Sequence, residues 1–340
     1  MKRYRDTSAW YRGWKFWVYV AAGVIIVLIC IWLFLQVKDV PTWSLVPESS
    51  FAFVSISLDS DTGGTSAFLE SMRDWMLKNE PGRFRRAAVK TAFSSFLPER
   101  IIAVAVPGGE EGKPESILIV KMGCVAHLIR IFDGTFSRSF FGEQDIEEET
   151  VRGHRILYTE SEEGRMGLRA FSIIGRTMVA ASSFTTLQDA LTAYPQQETD
   201  EAQPLSLTPI VLQGAHQQSI FFFADNGSRD LSKLETYIEE KYAFAPFPSM
   251  DSVELVFGSV ELTESEVKGL ITVLGNDPDR LREIRSDVKY LHGAIRRKLR
   301  PSNIDMDADI QVQRSRVQFT FSVPGYIEAM LNTLEEKQGE

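Results

Sequence analysis

The chain has 340 residues, 44% of them hydrophobic and 24% charged, and its 46 acidic and 37 basic side chains give a net charge of −9. That length allows a sizeable core, and two cysteines, Cys30 and Cys124, exclude a fold held by a disulfide framework. The acidic balance argues against a general nucleic-acid binder, which needs a positive surface to neutralise phosphates.

Residues 1–15 form a basic tail in which Lys2, Arg3, Arg5, Arg12 and Lys15 stand against one acid, Asp6. An uncharged apolar run of 20 residues then extends from Phe16 to Leu35. At about 1.5 Å per residue this run matches a hydrocarbon core of about 30 Å, so residues 16–36 are expected to span a membrane. The run ends in Trp32, Leu33, Phe34 and Leu35 with no small-residue cleavage site, which favours a retained signal anchor over a cleaved leader. Ile29 before Cys30 speaks against lipidation at that thiol. The basic flank predicts a cytoplasmic N-terminus, an inner-membrane anchor and a periplasmic or otherwise extracytoplasmic domain. Trp14 and Trp17 at one end, with Trp32 and Trp43 towards the other, suit the two membrane interfaces. Without residues 1–38, which hold six basic and one acidic side chain, the remainder has 31 basic and 45 acidic residues, a net charge of −14. Such a domain resists broad adhesion to anionic lipid.

A juxtamembrane segment, 37–50, carries Pro41 and Pro47. The first α+β half, 51–194, opens with a strand at 51–58, where apolar residues alternate with serine. Helical spacing follows at Phe68, Met72, Trp75 and Met76 and, after Pro81-Gly82, at Ala87, Ala88, Phe93 and Phe96. Strands are predicted at 101–106 and 116–121, a short helix at 125–132 and an acidic loop over 133–152 that includes Glu147, Glu148 and Glu149. Three more strands, at 154–159, 167–173 and 177–181, precede a helix at 185–194. Residues 195–217, rich in Gln, Pro, Glu and Thr, read as a linker.

The second half, 218–336, repeats the order: a strand at 219–224, a helix at 229–242, strands at 252–262 and 266–274, a long helix at 279–299, strands at 305–312 and 316–322, and a last helix at 325–336. The closing segments match as well, Ser183-Phe184-Thr185-Thr186-Leu187 beside Ser322-Val323-Pro324-Gly325-Tyr326. The offset between matched segments falls from about 169 to 139 residues, so the first half carries extra length. The fold class is therefore α+β: a transmembrane helix, then a duplicated ectodomain of mainly antiparallel sheets with helices packed on one face.

Motifs for catalysis are missing. His127, His154, His216 and His292 are scattered, no Gly-x-Ser-x-Gly elbow occurs, and Ser286-Asp287-Val288-Lys289 lacks the companion motifs of a Ser/Lys enzyme. Asn226-Gly227-Ser228 matches a glycosylation sequon but reads as a turn, and Cys124 as a small buried hydrophobe. No cofactor or metal is expected. The most informative local feature is the helix at 279–299. Leu281, Ile284, Val288, Leu291, Ile295 and Leu299 mark a buried stripe, while Arg280, Arg282, Arg285, Lys289, Arg296, Arg297 and Lys298 line much of the rest, with Arg300 beyond. Arg285, Lys289, Arg296, Arg297 and Lys298 are the residues expected to dock an anionic partner or lipid headgroups. The runs Phe221-Phe222-Phe223, Leu255/Phe257 and Phe319/Phe321 fit core strands or, alternatively, the lining of an apolar pocket.

The stretch from Leu45 to Ile56, the later Gly153-His154-Arg155-Ile156-Leu157-Tyr158 and the run from Ile173 to Ser183 resemble bacterial membrane-anchored ectodomain families of unknown function. In those families a proline-led strand opens the domain, and a later glycine-led strand precedes a hairpin running into a helix. The resemblance covers part of the ectodomain, implies a bacterial envelope protein and carries over no catalytic residue. A non-enzymatic, single-pass envelope protein that binds a protein partner or serves as a structural component is the expectation. A membrane-tethered carrier of lipid or another apolar ligand is the alternative.

Overall fold

Alternating apolar and polar residues generate strands, and in this chain the strands join edge to edge into one surface. A computed structural model describes residues 40–58, 65, 69–70, 73, 97–108, 114–122, 141, 145–161, 167–193, 218–227, 231, 250–263, 265–275, 277–300, 304–326 and 328–329. The apolar run at 16–35, both cysteines, the linker and the helix at 125–132 lie outside these residues, as do most of the helices expected at 68–76, 87–96, 229–242 and 325–336. Among the described residues no helix is long and apolar enough to cross a membrane.

The described strands are β1 (Ala52–Ser57), β2 (Pro98–Val106), β3 (Glu115–Met122), β4 (Glu147–Val151), β5 (His154–Tyr158), β6 (Ala170–Ile174), β7 (Thr177–Ala181), β8 (Ile220–Asp225), β9 (Val253–Leu262), β10 (Glu266–Gly275), β11 (Asp307–Gln313) and β12 (Arg316–Pro324). They form a single 12-stranded sheet in the order β11-β12-β10-β9-β8-β1-β2-β3-β7-β6-β5-β4, antiparallel throughout. Among the described residues, the helices α1 (Phe184–Ala193) and α2 (Leu281–Leu299) pack on this sheet in a mostly antiparallel α+β architecture. At the centre, β1 pairs with β8, Val54 opposite Phe222. Outward from this junction the strand order repeats, β1-β2-β3-β7-β6 on one side and β8-β9-β10-β12-β11 on the other, and the β4–β5 hairpin extends the first side alone.

Register assigns the two faces, because side chains alternate along each strand. Phe53, Ile102, Ile119, Val179, Phe221 and Phe223 fall on one face and are buried beneath Leu187, Ala190 and Leu191 of α1. Ile271, Val273, Val317 and Phe319 fall on the other, beneath Leu281, Ile284, Val288 and Ile295 of α2. Each fully buried Leu, Ile or Phe of this kind gains about 1.5–3 kcal/mol over its exposed state. The helices thus lie on opposite faces of one sheet, where the sequence predicts helices on one face of separate sheets. Helical periodicity specifies a buried stripe but not the side of the sheet that receives it.

Two further expectations are corrected. Glu147, Glu148 and Glu149 belong to β4 and not to a loop. Arg152 (φ 49°) and Gly153 (φ 80°) form the tight turn of the β4–β5 hairpin, the left-handed geometry that two-residue hairpins favour. Across that hairpin Arg155 Nη2 donates to Glu148 Oε2 at 2.6 Å. The other concerns Trp43, which lies with Val40, Leu45 and Val46 in the buried core beside Phe53. Trp43 is only 3% exposed, meets the Phe53 ring edge-on at 5.3 Å and lies under the Arg100 guanidinium, a buried position instead of a membrane interface.

The sheet also carries two close glycine–aromatic pairs. Gly258 lies opposite Phe222 of β8, and Gly269 opposite Phe321 of β12, each beneath the facing ring. A Cβ at Gly258 would stand 2.5 Å from both the Leu270 carbonyl oxygen and the Phe222 ring. Gly258→Ala is therefore expected to cost about 1–3 kcal/mol of stability through overpacking. Gly293, inside α2 with open space within 4 Å, is the control, and Gly293→Ala should gain about 0.5–1 kcal/mol. Thermal unfolding of the two variants checks this, and shifts of the same sign would contradict the packing.

Candidate functional site

α2 begins where Pro278, after Asp277, sets a short 3-10 turn, and the Asp277 carboxylate accepts the Asp279 N–H at 2.9 Å. Its buried stripe orients the rest of the helix. With about 100° per residue, Arg282, Arg285, Lys289 and Arg296, and Arg300 just past the helix end, fall along one flank at spacings of three, four or seven residues. All five are exposed. Arg296 pairs with Asp305 at 3.2 Å, which turns this flank towards the segment leading into β11. Both partners are exposed, so the pair is worth little and leaves the cation accessible. Glu283 and Asp287 point away from the flank, and Tyr290, 58% exposed, stands on the outermost face.

Of the residues singled out from sequence, Arg285, Lys289 and Arg296 are brought into one line. Arg297 is exposed one step further round the helix, and the Lys298 side chain is outside the described set. Arg282 and Arg300 complete the line. The spacing of the cations, more than their number, was the signal for them.

The opposite face of the same half has another character. Ser259 and Glu261 of β9, Lys268 and Leu270 of β10, Thr320 and Ser322 of β12, and Asp307 and Asp309 of β11 line an open cleft of about 700 Å³. Beside it Glu266 forms an ion pair with Lys268 and accepts the Ser322 hydroxyl at 3.0 Å. The Lys268 ammonium, and then Ser322, hold the Glu266 carboxyl below its usual range, and Glu266 in turn holds Lys268 above its own. The second half is therefore cationic on the α2 side and predominantly acidic on the cleft side.

Other sequence candidates take structural places. Phe221 and Phe223 stack near Phe53 on one face, whereas Phe319 and Phe321 pack on the other, with Phe321 also bordering the cleft. Asn226 is buried, its amide donating to the Val253 carbonyl at 2.9 Å and its side-chain oxygen accepting from the Leu231 N–H, which fits the turn reading. His292 rests 5.9 Å from the Phe319 ring, its Nε2 buried and without a hydrogen-bond partner among the described residues. Among the described residues no group of three or more His, Cys, Asp or Glu side chains is placed to hold a metal ion.

On the β4–β5 hairpin the Tyr158 phenol is held well above its usual range. Tyr158 Oη donates to Glu147 Oε2 at 2.7 Å. That bond, then desolvation, then the charges of Glu147, Glu149 and Glu160, push the phenol from 10 up to about 12. A raised folded value means that the bond supports the hairpin fully below pH 10 and is lost as pH climbs through about 12. Glu147→Gln is expected to bring the phenol back towards its ordinary value, read from the Tyr158 ring resonances during an alkaline titration. An unchanged titration would contradict the bond.

No family model matches the chain, and no curated protein sequence matches it. Among solved structures the chain is similar to TP0453. Its crystal form III aligns with TM-score 0.46 and 11% identity over 86% of this chain and 98% of that one. Crystal form I aligns with TM-score 0.46 and 10% identity over 86% and 97%. At this distance the likeness carries neither a site nor an activity to this chain.

Proposed function

We propose that this chain is a non-enzymatic, single-pass envelope protein, held in the inner membrane by residues 16–36 with its N-terminus cytoplasmic, whose extracytoplasmic domain docks an acidic protein partner through the cationic flank of α2. The observation that carries this reading is the line of five exposed cations, Arg282, Arg285, Lys289, Arg296 and Arg300, on a chain of net charge −9. A straight row of this kind steers an oppositely charged surface and fixes its orientation.

The domain is a duplicated unit in this reading. The repeated strand order supports it, and so does the register. With Val54 and Phe222 as equivalent centres, the strand pairings carry Ile102 to Phe257, Ile119 to Thr272 and Val179 to Gln318. The last offset, 139 residues, is the one that relates Ser183 to Ser322. The β4–β5 hairpin belongs to the extra length of the first half.

Carriage of an apolar ligand is the second reading, and one observation favours it. On the α2 face at the sheet centre, Val54 is 40% exposed and Ile56, Ile220, Phe222 and Val260 are half-buried. Native mass spectrometry of the purified protein would reveal a retained lipid under that reading. For the first, cross-linking followed by purification of the full chain should recover a partner. The triple variant Arg285→Glu, Lys289→Glu and Arg296→Glu should lose that partner with an unchanged thermal midpoint, since all three side chains are exposed. Undiminished recovery by the variant would sink the docking reading.

A further inference from the structure

We propose that the outer edge of β11, together with the cleft beside it, binds an extended basic peptide that joins the sheet as an added strand. This site is separate from the α2 flank and lies on the other side of the sheet.

β11 ends the sheet and pairs only with β12, so among the described residues the outward N–H and C=O groups of alternate residues face no strand. An unpaired row of this kind is a template for a further strand. Side chains along β11 divide between the faces: Asp307, Asp309, Gln311 and Gln313 towards the cleft, and Ala308, Ile310 and Val312 towards α2. Val312 is 42% exposed. An added strand would follow the same alternation, setting every second side chain beside Asp307 and Asp309 at the mouth of the cleft. Its intervening side chains would extend the apolar row of Ile310 and Val312.

The charge at that mouth selects cations. The Asp307 side chain makes no hydrogen bond or ion pair among the described residues, the Asp309 carboxylate accepts the Gln311 amide at 2.7 Å, and Glu261 adds a third carboxylate to the lining. Among the described residues Lys268 is the one cation lining the cleft, and Glu266 already engages it. A peptide with Lys or Arg at alternate positions and small apolar residues between therefore meets main-chain donors and acceptors, carboxylates on one face and apolar side chains on the other. A second copy of this chain does not fit. β4, the other end of the sheet among the described residues, carries Glu147, Glu148 and Glu149, so β4 and β11 edges of two copies would oppose like charges. The β4 carboxylates are also engaged already, Glu147 by Tyr158 and Glu148 by Arg155.

The test uses the full-length chain in an uncharged detergent and a fluorescent heptapeptide of alternating Lys and Val, read by anisotropy. Binding is expected, with affinity falling about tenfold or more in the double variant Asp307→Asn and Asp309→Asn and unchanged in Glu147→Gln with Glu149→Gln. N-methylating the peptide backbone at alternate residues should abolish binding in one of the two frames, a readout that requires no folded variant. Failure of the Lys peptide to bind, or equal binding by the Asp307/Asp309 variant, would overturn the site. Equal affinity for both N-methylated frames and the unmodified peptide would overturn strand addition.

Discussion

The pairing of β1 with β8 is the constraint on which the rest depends. The two described helices lie on opposite faces, and the core beneath α1 reaches across the junction to Phe221 and Phe223 of β8 and to Leu255 and Phe257 of β9. Continuity comes from the backbone ladder between Ala52–Ser57 and Ile220–Asp225, and from the rings above it. Phe53 stacks on Phe223 at 5.5 Å and approaches Phe221 at 6.0 Å, while Trp43 closes over Phe53 from the N-terminal segment. The same cluster ties the chain that emerges from residue 40 to the centre of the sheet.

Placing the helices on opposite faces also separates charge. In the second half α2 covers one face and brings its cations with it, while the cleft on the other face is lined mainly by hydroxyls and carboxylates, with Lys268 and Leu270 among them. A single sheet can then present an acid-seeking surface and a base-seeking surface without either neutralising the other. The net charge of −9 conceals this, because a sum over the chain loses the sidedness that the sheet imposes.

Much of this was legible in the sequence, for identifiable reasons. Strands with one buried face, such as β1 and β12, announce themselves by alternation, and α2 by its three-and-four spacing. β4 was invisible because an edge strand with four exposed residues and only Val151 buried has no apolar period to detect. Trp43 was misplaced because an amphipathic ring suits a membrane interface and a core equally, and only the approach of Phe53 and Arg100 decides between them. The cationic flank was partly legible, since Arg285, Lys289 and Arg296 carry the right spacing. The β11 edge and its cleft were not, because which strand ends a sheet depends on pairings between segments far apart in sequence.

Hydrogen exchange followed residue by residue in the full-length chain tests the central pairing most directly. If β1 and β8 form the spine, the ladder amides along Ala52–Ser57 and Ile220–Asp225 exchange among the slowest in the protein, and they open together with β2 and β9 in one cooperative unit. Fast exchange along β1 and β8, with β2–β3–β7 and β9–β10–β12 protected as two independent units, would contradict a single continuous sheet.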